Sequence, residues 1–186
     1  MKLNEMKFNV AQINLCTESE GPHKRLGIWF QGCTIGCPGC CNPELQVMKT
    51  AHIMSLIEIL SIAKKSNEVN GIEGVTYLGG EPTLQKYLNE LSQALHKEGL
   101  GVILFTGYKI EQLNEALVSS VDLIVDGQFV DSMIDEKRNL VGSTNQQFHH
   151  VTNRYIDNMD WFMEKRVLQV EVNVNSDLLF TGDVVF

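Results

Sequence analysis

The sequence lacks any apolar run approaching the ~18 consecutive residues of a membrane-spanning helix. Met1 to Val10 is polar and charged throughout and has no apolar centre of the kind a secretory signal needs. Both absences predict a cytoplasmic chain with no membrane partner. Basic residues are outnumbered, with 15 Lys and Arg against 23 Asp and Glu, giving a formal net charge of −8. Such a chain has no general attraction for phosphate backbones or anionic lipid, so nucleic acid is not expected as a partner. Proline occurs only four times, and no repeat, low-complexity tract or Pro/Ser-rich linker interrupts the chain. Residues 1–186 therefore read as one domain, with a core over about 8–150 and a terminal β-hairpin over about 167–186.

What is present alternates between strand-like and helix-like segments. Phe8 to Leu15, Leu26 to Phe30, Gly74 to Leu78, Val102 to Phe105 and Leu123 to Val125 predict strands. Ile53, Leu56, Ile57 and Leu60 recur at helical spacing, with Thr50 as a candidate cap; Leu84 to Leu95 and Ile110 to Val118 predict two further helices. This alternation is the signature of an α/β fold with a parallel sheet. The distinctive residues fall where strands end, at Gly79-Gly80-Glu81, Thr106-Gly107-Tyr108 and Asp126-Gly127. Ligands of parallel sheets bind at those ends, so these loops are expected to converge. The Lys64-Lys65 pair and the Asp135 to Arg138 run read as solvated surface. Trp29 and Phe30 read as packing.

Five cysteines are present, and four of them, Cys33, Cys37, Cys40 and Cys41, lie within nine residues. Crowding of this kind suggests metal binding more than disulfides. Cys33, Cys37 and Cys40 are spaced C-x3-C-x2-C in a loop with Gly36, Pro38 and Gly39, which can curl to face three thiolates at one centre. Three ligands would leave one iron of a [4Fe–4S] cluster open, as catalytic metal sites require. Cys41 is given no ligand role, because adjacent residues rarely point at one small centre. Cys16 reads as a core residue. The cysteines alone leave structural zinc and an iron–sulfur cluster about even, although His23 and the His149-His150 pair lack the spacing to complete a zinc site.

Tyr77-Leu78-Gly79-Gly80-Glu81-Pro82-Thr83 shifts that balance. Glycines after a buried strand permit close approach of a ligand to the backbone, and Glu81 offers a carboxylate suited to an ammonium group. With the cysteine loop, this segment closely resembles the radical S-adenosylmethionine superfamily. Gly21-Pro22, Arg25, Ile28 to Cys33, Phe105 to Tyr108, Val125 to Phe129 and Gly142 to Gln146 extend the resemblance to the activating proteins of glycyl radical enzymes, the anaerobic ribonucleotide reductase activase group above all. Two positions depart from that pattern: Cys41 stands where many relatives carry an aromatic residue, and Val141 where an arginine often precedes the Gly142 segment.

The resemblance implies a partial (β/α)6 barrel of the radical S-adenosylmethionine type with a short C-terminal β-hairpin. It implies a [4Fe–4S] cluster on Cys33, Cys37 and Cys40, and S-adenosylmethionine held by Gly39, Gly79, Gly80, Glu81 and Pro82, with Thr106, Asp126, Ser143 and Asn145 nearby. One-electron reductive cleavage would give methionine and a 5′-deoxyadenosyl radical. The cofactor carries that chemistry while the protein orients and shields it. A large glycyl radical enzyme is the implied partner, with reduced flavodoxin or ferredoxin as electron donor. The small chain, with little sequence left for a deep pocket, fits that role. The alternatives are a stand-alone radical enzyme acting on a small molecule or peptide, and a non-catalytic iron–sulfur or zinc module.

Overall fold

The computed structural model describes residues 3–164, 170–174 and 178–182. After a short 3-10 turn at Leu3–Glu5, the chain forms β1 (Lys7–Thr17), β2 (Arg25–Phe30), β3 (His52–Ser55), α1 (Leu56–Asn70), β4 (Gly74–Gly79), α2 (Leu88–Lys97), β5 (Gly101–Thr106), α3 (Glu115–Val118), β6 (Leu123–Asp126), β7 (Gln147–His150) and α4 (Met159–Met163). β8 (Val170–Val174) and β9 (Leu178–Gly182) pair as a separate antiparallel hairpin. Its turn, and the expected hairpin residues 167–169 and 183–186, lie outside the described residues.

Seven strands make one open sheet in the order β3-β1-β2-β4-β5-β6-β7. β2, β4, β5 and β6 run parallel, and antiparallel strands take both flanks. The α/β class and open sheet are as expected; of the (β/α)6 outline, four strands run parallel. All six positions of β2 are buried, as a strand covered on both faces requires. Side chains alternate across the sheet. Val102, Leu104 and Ile124 pack with Leu56, Ile59 and Ala63 of α1 and Leu88, Leu91 and Leu95 of α2, while Ile103 and Leu123 pack with Tyr155 and Phe162.

The first helix begins later than its periodicity suggests. Ile53 belongs to β3, where it pairs with Asn9, and the cap is Ser55, not Thr50. Ser55 accepts from Glu58 N–H while the Glu58 carboxylate accepts from Ser55 N–H, a reciprocal capping box. Gly71 closes α1 in the left-handed conformation, with φ 67°. The predicted Ile110 to Val118 helix divides into a 3-10 turn at Ile110–Gln112 and the four residues of α3, because Asn114 caps a new start by accepting from Ala116 N–H. Leu84 lies in a 3-10 turn ahead of α2 and is exposed.

The strand starts are fastened by Arg25, which is 0 % exposed. Its guanidinium donates to Thr76 Oγ1 at 2.6 Å, Glu73 Oε2 at 2.8 Å, Val75 O at 2.9 Å and the Tyr155 hydroxyl at 3.0 Å. Gly74 and Gly101 make the room: a Cβ at Gly101 would lie 2.2 Å from the Tyr155 hydroxyl oxygen. Burial pushes the Glu73 carboxyl up, but the Arg25 charge and hydrogen bonds from Arg154 and Tyr155 outweigh it and hold the group low. Burial likewise pushes Asp122 up, and hydrogen bonds from Thr152, Val102 N–H and His96 hold it low.

Both carboxyls titrate lower when folded than when unfolded. Their stabilisation is therefore complete above the ordinary carboxylate value of about 4 and is lost as pH falls through the folded values. The melting temperature is expected to drop as the pH is lowered below that region. Glu73→Gln should flatten the drop and cost about 2 kcal/mol at neutral pH, discounting for partial exposure of the carboxylate. Thermal melts across pH test both.

Candidate functional site

The site lies at the carboxyl ends of the parallel strands, and its geometry starts from two glycines. Gly79 has φ 109°, and a Cβ there would lie 2.4 Å from Phe30 N. A Cβ at Gly80 would lie 2.3 Å from Gly32 O. Only glycine lets the end of β4 approach the exit of β2 this closely. Two hydrogen bonds then fasten them, Gly80 N–H to Phe30 O at 2.8 Å and Glu81 N–H to Gly32 O at 2.9 Å. The close approach expected of a ligand is thus made first by the chain itself.

The cysteine loop is held at both ends. Gly32 N–H donates to Leu45 O at 2.8 Å and Cys33 N–H to Gln46 O at 3.1 Å. The Gln31 amide donates to Val47 O at 2.8 Å and Glu44 O at 3.2 Å. Gly36 and Gly39, with φ 69° and 72°, supply the left-handed turns that curl the loop. Ile35 closes the far side: a Cβ at Gly107 would lie 2.6 Å from its Cδ1. The Thr34 and Tyr108 hydroxyls are 3.0 Å apart.

Cys33, Cys37 and Cys40 lie on this one curled loop. Burial pushes the Cys37 thiol up, and negative charge on Cys40 and Cys33 adds to that, against hydrogen bonds from Phe129 N–H and the Gln128 side chain. Cys40 is pulled down to about 5, chiefly by the Cys41 thiol donating to its sulfur; Asn42 N–H and Gln46 assist, and burial opposes. Cys41 is exposed and pushed up, because it spends its proton on Cys40. Cys16 packs against the core.

Glu81 is 1 % exposed. Its Oε1 accepts from Thr83 N–H at 3.0 Å, the Thr83 hydroxyl at 2.7 Å and the Thr106 hydroxyl at 2.8 Å, and its Oε2 accepts from Gly107 N–H at 2.9 Å. The carboxylate ties the end of β4 to the end of β5. Four donors from the chain occupy most of a carboxylate's acceptor capacity. Pro82 is buried at the start of the 3-10 turn Pro82–Leu84. Thr106 also accepts from Tyr108 N–H.

Asp126 sits one strand further along. Its Oδ2 accepts from Ile110 N–H at 2.8 Å, and Lys109 Nζ lies 3.2 Å from Oδ1. His149 Nε2 is 3.1 Å from Oδ2. Ser143 and Asn145 act on the segment that leaves β6. Ser143, 0 % exposed, accepts from Val130 N–H at 3.1 Å, and Asn145 donates to Gln128 O at 2.9 Å. Asn145 Oδ1 is buried with no partner among the described residues.

Asp135 and Arg138 are not the solvated run the sequence suggests. Asp135 is 3 % exposed and accepts from Arg138 Nε at 2.5 Å. Arg138 then donates to Gln146 O at 2.8 Å and Ser143 O at 3.1 Å. It supports the Gly142 to Gln146 segment from three residues before Val141. Acidic and basic side chains so close in sequence look solvated until the fold buries the pair and gives the guanidinium carbonyl partners. Sequence reading also missed Gln46, which donates to Cys37 O at 3.4 Å, and Phe129, whose ring lies against Gly39, since such contacts are set by the path of the loop and carry no local signal.

One family model and several named proteins match this chain. Residues 19–149 match the family model described as a 4Fe-4S single cluster domain. The chain belongs to that family. It is 32 % identical over 140 residues to the anaerobic ribonucleoside-triphosphate reductase-activating protein of Salmonella typhimurium, covering 70 % of this chain and 91 % of that protein. The protein of the same name from Enterobacteria phage T4 is 26 % identical over 146 residues, 75 % of this chain and 92 % of that one. A putative glycyl-radical enzyme activating enzyme of Haemophilus influenzae is 38 % identical over 101 residues, 53 % of this chain and 38 % of that protein. The solved structure of QueE from Escherichia coli aligns with a TM-score of 0.47 at 16 % identity, over 66 % of this chain and 72 % of that one. The resemblance read from the cysteine loop and the glycine turn is borne out. No helix among the described residues is long and apolar enough to cross a membrane.

The residues suit a [4Fe–4S] cluster in kind: three thiols at C-x3-C-x2-C spacing on one loop curled by Gly36 and Gly39, with Ile35 N–H donating to Cys33 Sγ at 3.4 Å. After anaerobic reconstitution, Cys33→Ala, Cys37→Ala and Cys40→Ala should each lose most bound iron and sulfide, and Cys41→Ala should keep them. Gly80→Ala should cost about 3 kcal/mol through its backbone collision, with lower iron uptake. Iron and sulfide assays with a thermal melt test these expectations.

Proposed function

We propose that this chain holds a [4Fe–4S] cluster on Cys33, Cys37 and Cys40, cleaves S-adenosylmethionine reductively, and places a glycyl radical on a large partner enzyme of the anaerobic ribonucleotide reductase type. The observation that carries the reading is the three-thiol loop seated on the strand ends by Gly79 and Gly80, in a chain whose relatives are named activating proteins. When bound, the cluster and S-adenosylmethionine supply one-electron cleavage to methionine and a 5′-deoxyadenosyl radical.

The chain's own groups bind and orient. The Gly79 to Pro82 turn offers polar backbone, and the buried Glu81 charge favours an ammonium group beside it. Because Glu81 already accepts four hydrogen bonds, it contributes charge and fixed geometry more than a free carboxylate. Asn145 Oδ1, a buried acceptor still without a partner, offers a hydrogen-bond site to a ligand held near Asp126. Thr106 and Ser143 hold the strand ends that frame the site. Gly39, where a Cβ would lie 3.0 Å from Asp131 Oδ1 and 3.2 Å from the Phe129 ring, keeps the loop close to the β6 exit.

The rim favours a macromolecular target. Val47 and Met48, which follow the cysteine loop, are 54 % and 69 % exposed. Leu84 follows the glycine turn, and Met133 and Ile134 follow Asp131; all three are exposed as well. Apolar side chains around a functional loop suit coverage by a partner, which would also exclude water from a radical. A reduced flavodoxin or ferredoxin is the proposed electron donor.

The decisive experiment is anaerobic reduction of the reconstituted protein with S-adenosylmethionine, with and without an anaerobic ribonucleotide reductase. Wild type should form 5′-deoxyadenosine and, with the partner, a glycyl radical visible by electron paramagnetic resonance. Cys37→Ala should abolish both. Met48→Glu should retain 5′-deoxyadenosine formation without partner and lower glycyl radical yield about tenfold, as for loss of a docking contact worth roughly 1.4 kcal/mol. Cleavage stimulated by a small substrate and never by a glycyl radical enzyme would select the stand-alone reading instead.

A further inference from the structure

The turn that follows β5 brings a cation to the strand ends. Lys109 Nζ lies 3.2 Å from Asp126 Oδ1 and donates to Asn145 O at 3.4 Å. Gly127, with φ 110°, makes the room: a Cβ there would lie 3.1 Å from Lys109 Nζ. An ammonium has three hydrogens to donate, and the chain takes two of them. The Lys109 side chain is 43 % exposed, so the third can be reached from outside, while Asp126 beneath it is 2 % exposed.

The fold does not need this ammonium as a fastener. Gly127 N–H donates to Tyr108 O at 3.2 Å and Ile110 N–H to Asp126 Oδ2 at 2.8 Å, which already tie the turn to the exit of β6. Lys109 N–H donates to Gln112 Oε1 at 2.8 Å, fixing the backbone from the other side. His149 Nε2, 3.1 Å from Asp126 Oδ2, gives the carboxylate a further neighbour.

The opposite charge stands at the other end of the same turn. Gly107 N–H donates to Glu81 Oε2 at 2.9 Å, two residues before Lys109. A Cβ at Gly107 would lie 3.7 Å from that oxygen and 3.8 Å from the Cα of Gln128, the neighbour of Gly127. Two residues without side chains, Gly107 and Gly127, therefore lie between the Glu81 carboxylate and the Lys109 ammonium. Asn145, whose carbonyl accepts from Lys109, also carries the buried Oδ1 that has no partner among the described residues. An acid and a base across a floor of glycine, beside an unused acceptor, match the ammonium and carboxylate of an amino acid.

We propose that Lys109 binds the methionine carboxylate of S-adenosylmethionine, so that the amino-acid end of the molecule is read as a zwitterion, ammonium toward Glu81 and carboxylate toward Lys109. This rests on the S-adenosylmethionine reading given above.

The test compares two ligands by equilibrium dialysis against the reconstituted protein with its cluster oxidised, so that nothing is cleaved. Decarboxylated S-adenosylmethionine keeps the ammonium, the sulfonium and the adenosine and lacks only the carboxylate. Iron and sulfide are measured on every sample. Wild type should bind S-adenosylmethionine about tenfold or more tightly than the decarboxylated form. Lys109→Met should bind S-adenosylmethionine about tenfold more weakly than wild type does, the size of one hydrogen bond between charged groups, and the decarboxylated form within about twofold of wild type. Lys109→Arg should keep most of the affinity for S-adenosylmethionine. Equal weakening of both ligands in Lys109→Met would make Lys109 a support of the turn and overturn the proposal, as would unchanged binding of S-adenosylmethionine. Equal affinity of wild type for the two ligands would overturn it without any variant. In each of those outcomes wild type still binds S-adenosylmethionine, and the reading beneath the proposal stands. Wild type that takes up its cluster and binds neither ligand would overturn both.

Discussion

The crossing of two backbones at Gly79, Gly80, Phe30 and Gly32 is the constraint on which the rest of the site depends. Contacts that a Cβ would make at 2.3 and 2.4 Å leave no space for any side chain there. The crossing sets where the cysteine loop leaves β2, and hence where its thiols face. Once the two hydrogen bonds of the crossing form, Glu81 falls where it can accept from Thr106 and Gly107, and the ends of three strands become one rigid floor. A loop with three glycines, Gly32, Gly36 and Gly39, would otherwise be costly to order. The floor and the closing turn at residues 43–46 remove that freedom before any cluster binds.

Charge is distributed to serve the same end. At the start of the strands, Arg25 and Glu73 hold the sheet together with Tyr155. At the exit of the strands, Asp126 holds the start of the 3-10 turn at Ile110, and Arg138 holds the clasp over residues 142–146. In each case a buried charge is matched by several donors or acceptors, without which burial would be prohibitive. Buried polar groups that look alike in composition thus divide into sheet fasteners at one edge and site supports at the other.

Much of this was legible in the residues. The α/β alternation, the buried parallel strands and the location of the distinctive residues at strand ends follow from apolar runs bounded by glycine. Cys33, Cys37 and Cys40 are recognisable because metal-ligand spacing is local in sequence. The start of α1 was misplaced, since Ile53 satisfies both a helical period and an edge strand, and only pairing with Asn9 decides between them. Asp135 and Arg138 were misplaced because the fold buries their pair and gives Arg138 the Ser143 and Gln146 carbonyls, on a loop that local sequence does not reveal. Ser143 and Asn145 were found through resemblance, yet what they hold is the 128–130 backbone.

The sequence by itself determined the chemistry available: three thiols in one short loop, a glycine turn after a buried strand, and an acidic chain. Those are properties of neighbouring residues, and neighbours are fixed by covalent bonds. Tertiary structure alone decided that Glu81 is a tie between strands, and that a segment about ninety residues further on, at Phe129 and Asp131, lies against Gly39 of the cysteine loop. Hydrogen bonds act over about 3 Å, so only packing of the sheet can bring such distant groups into range.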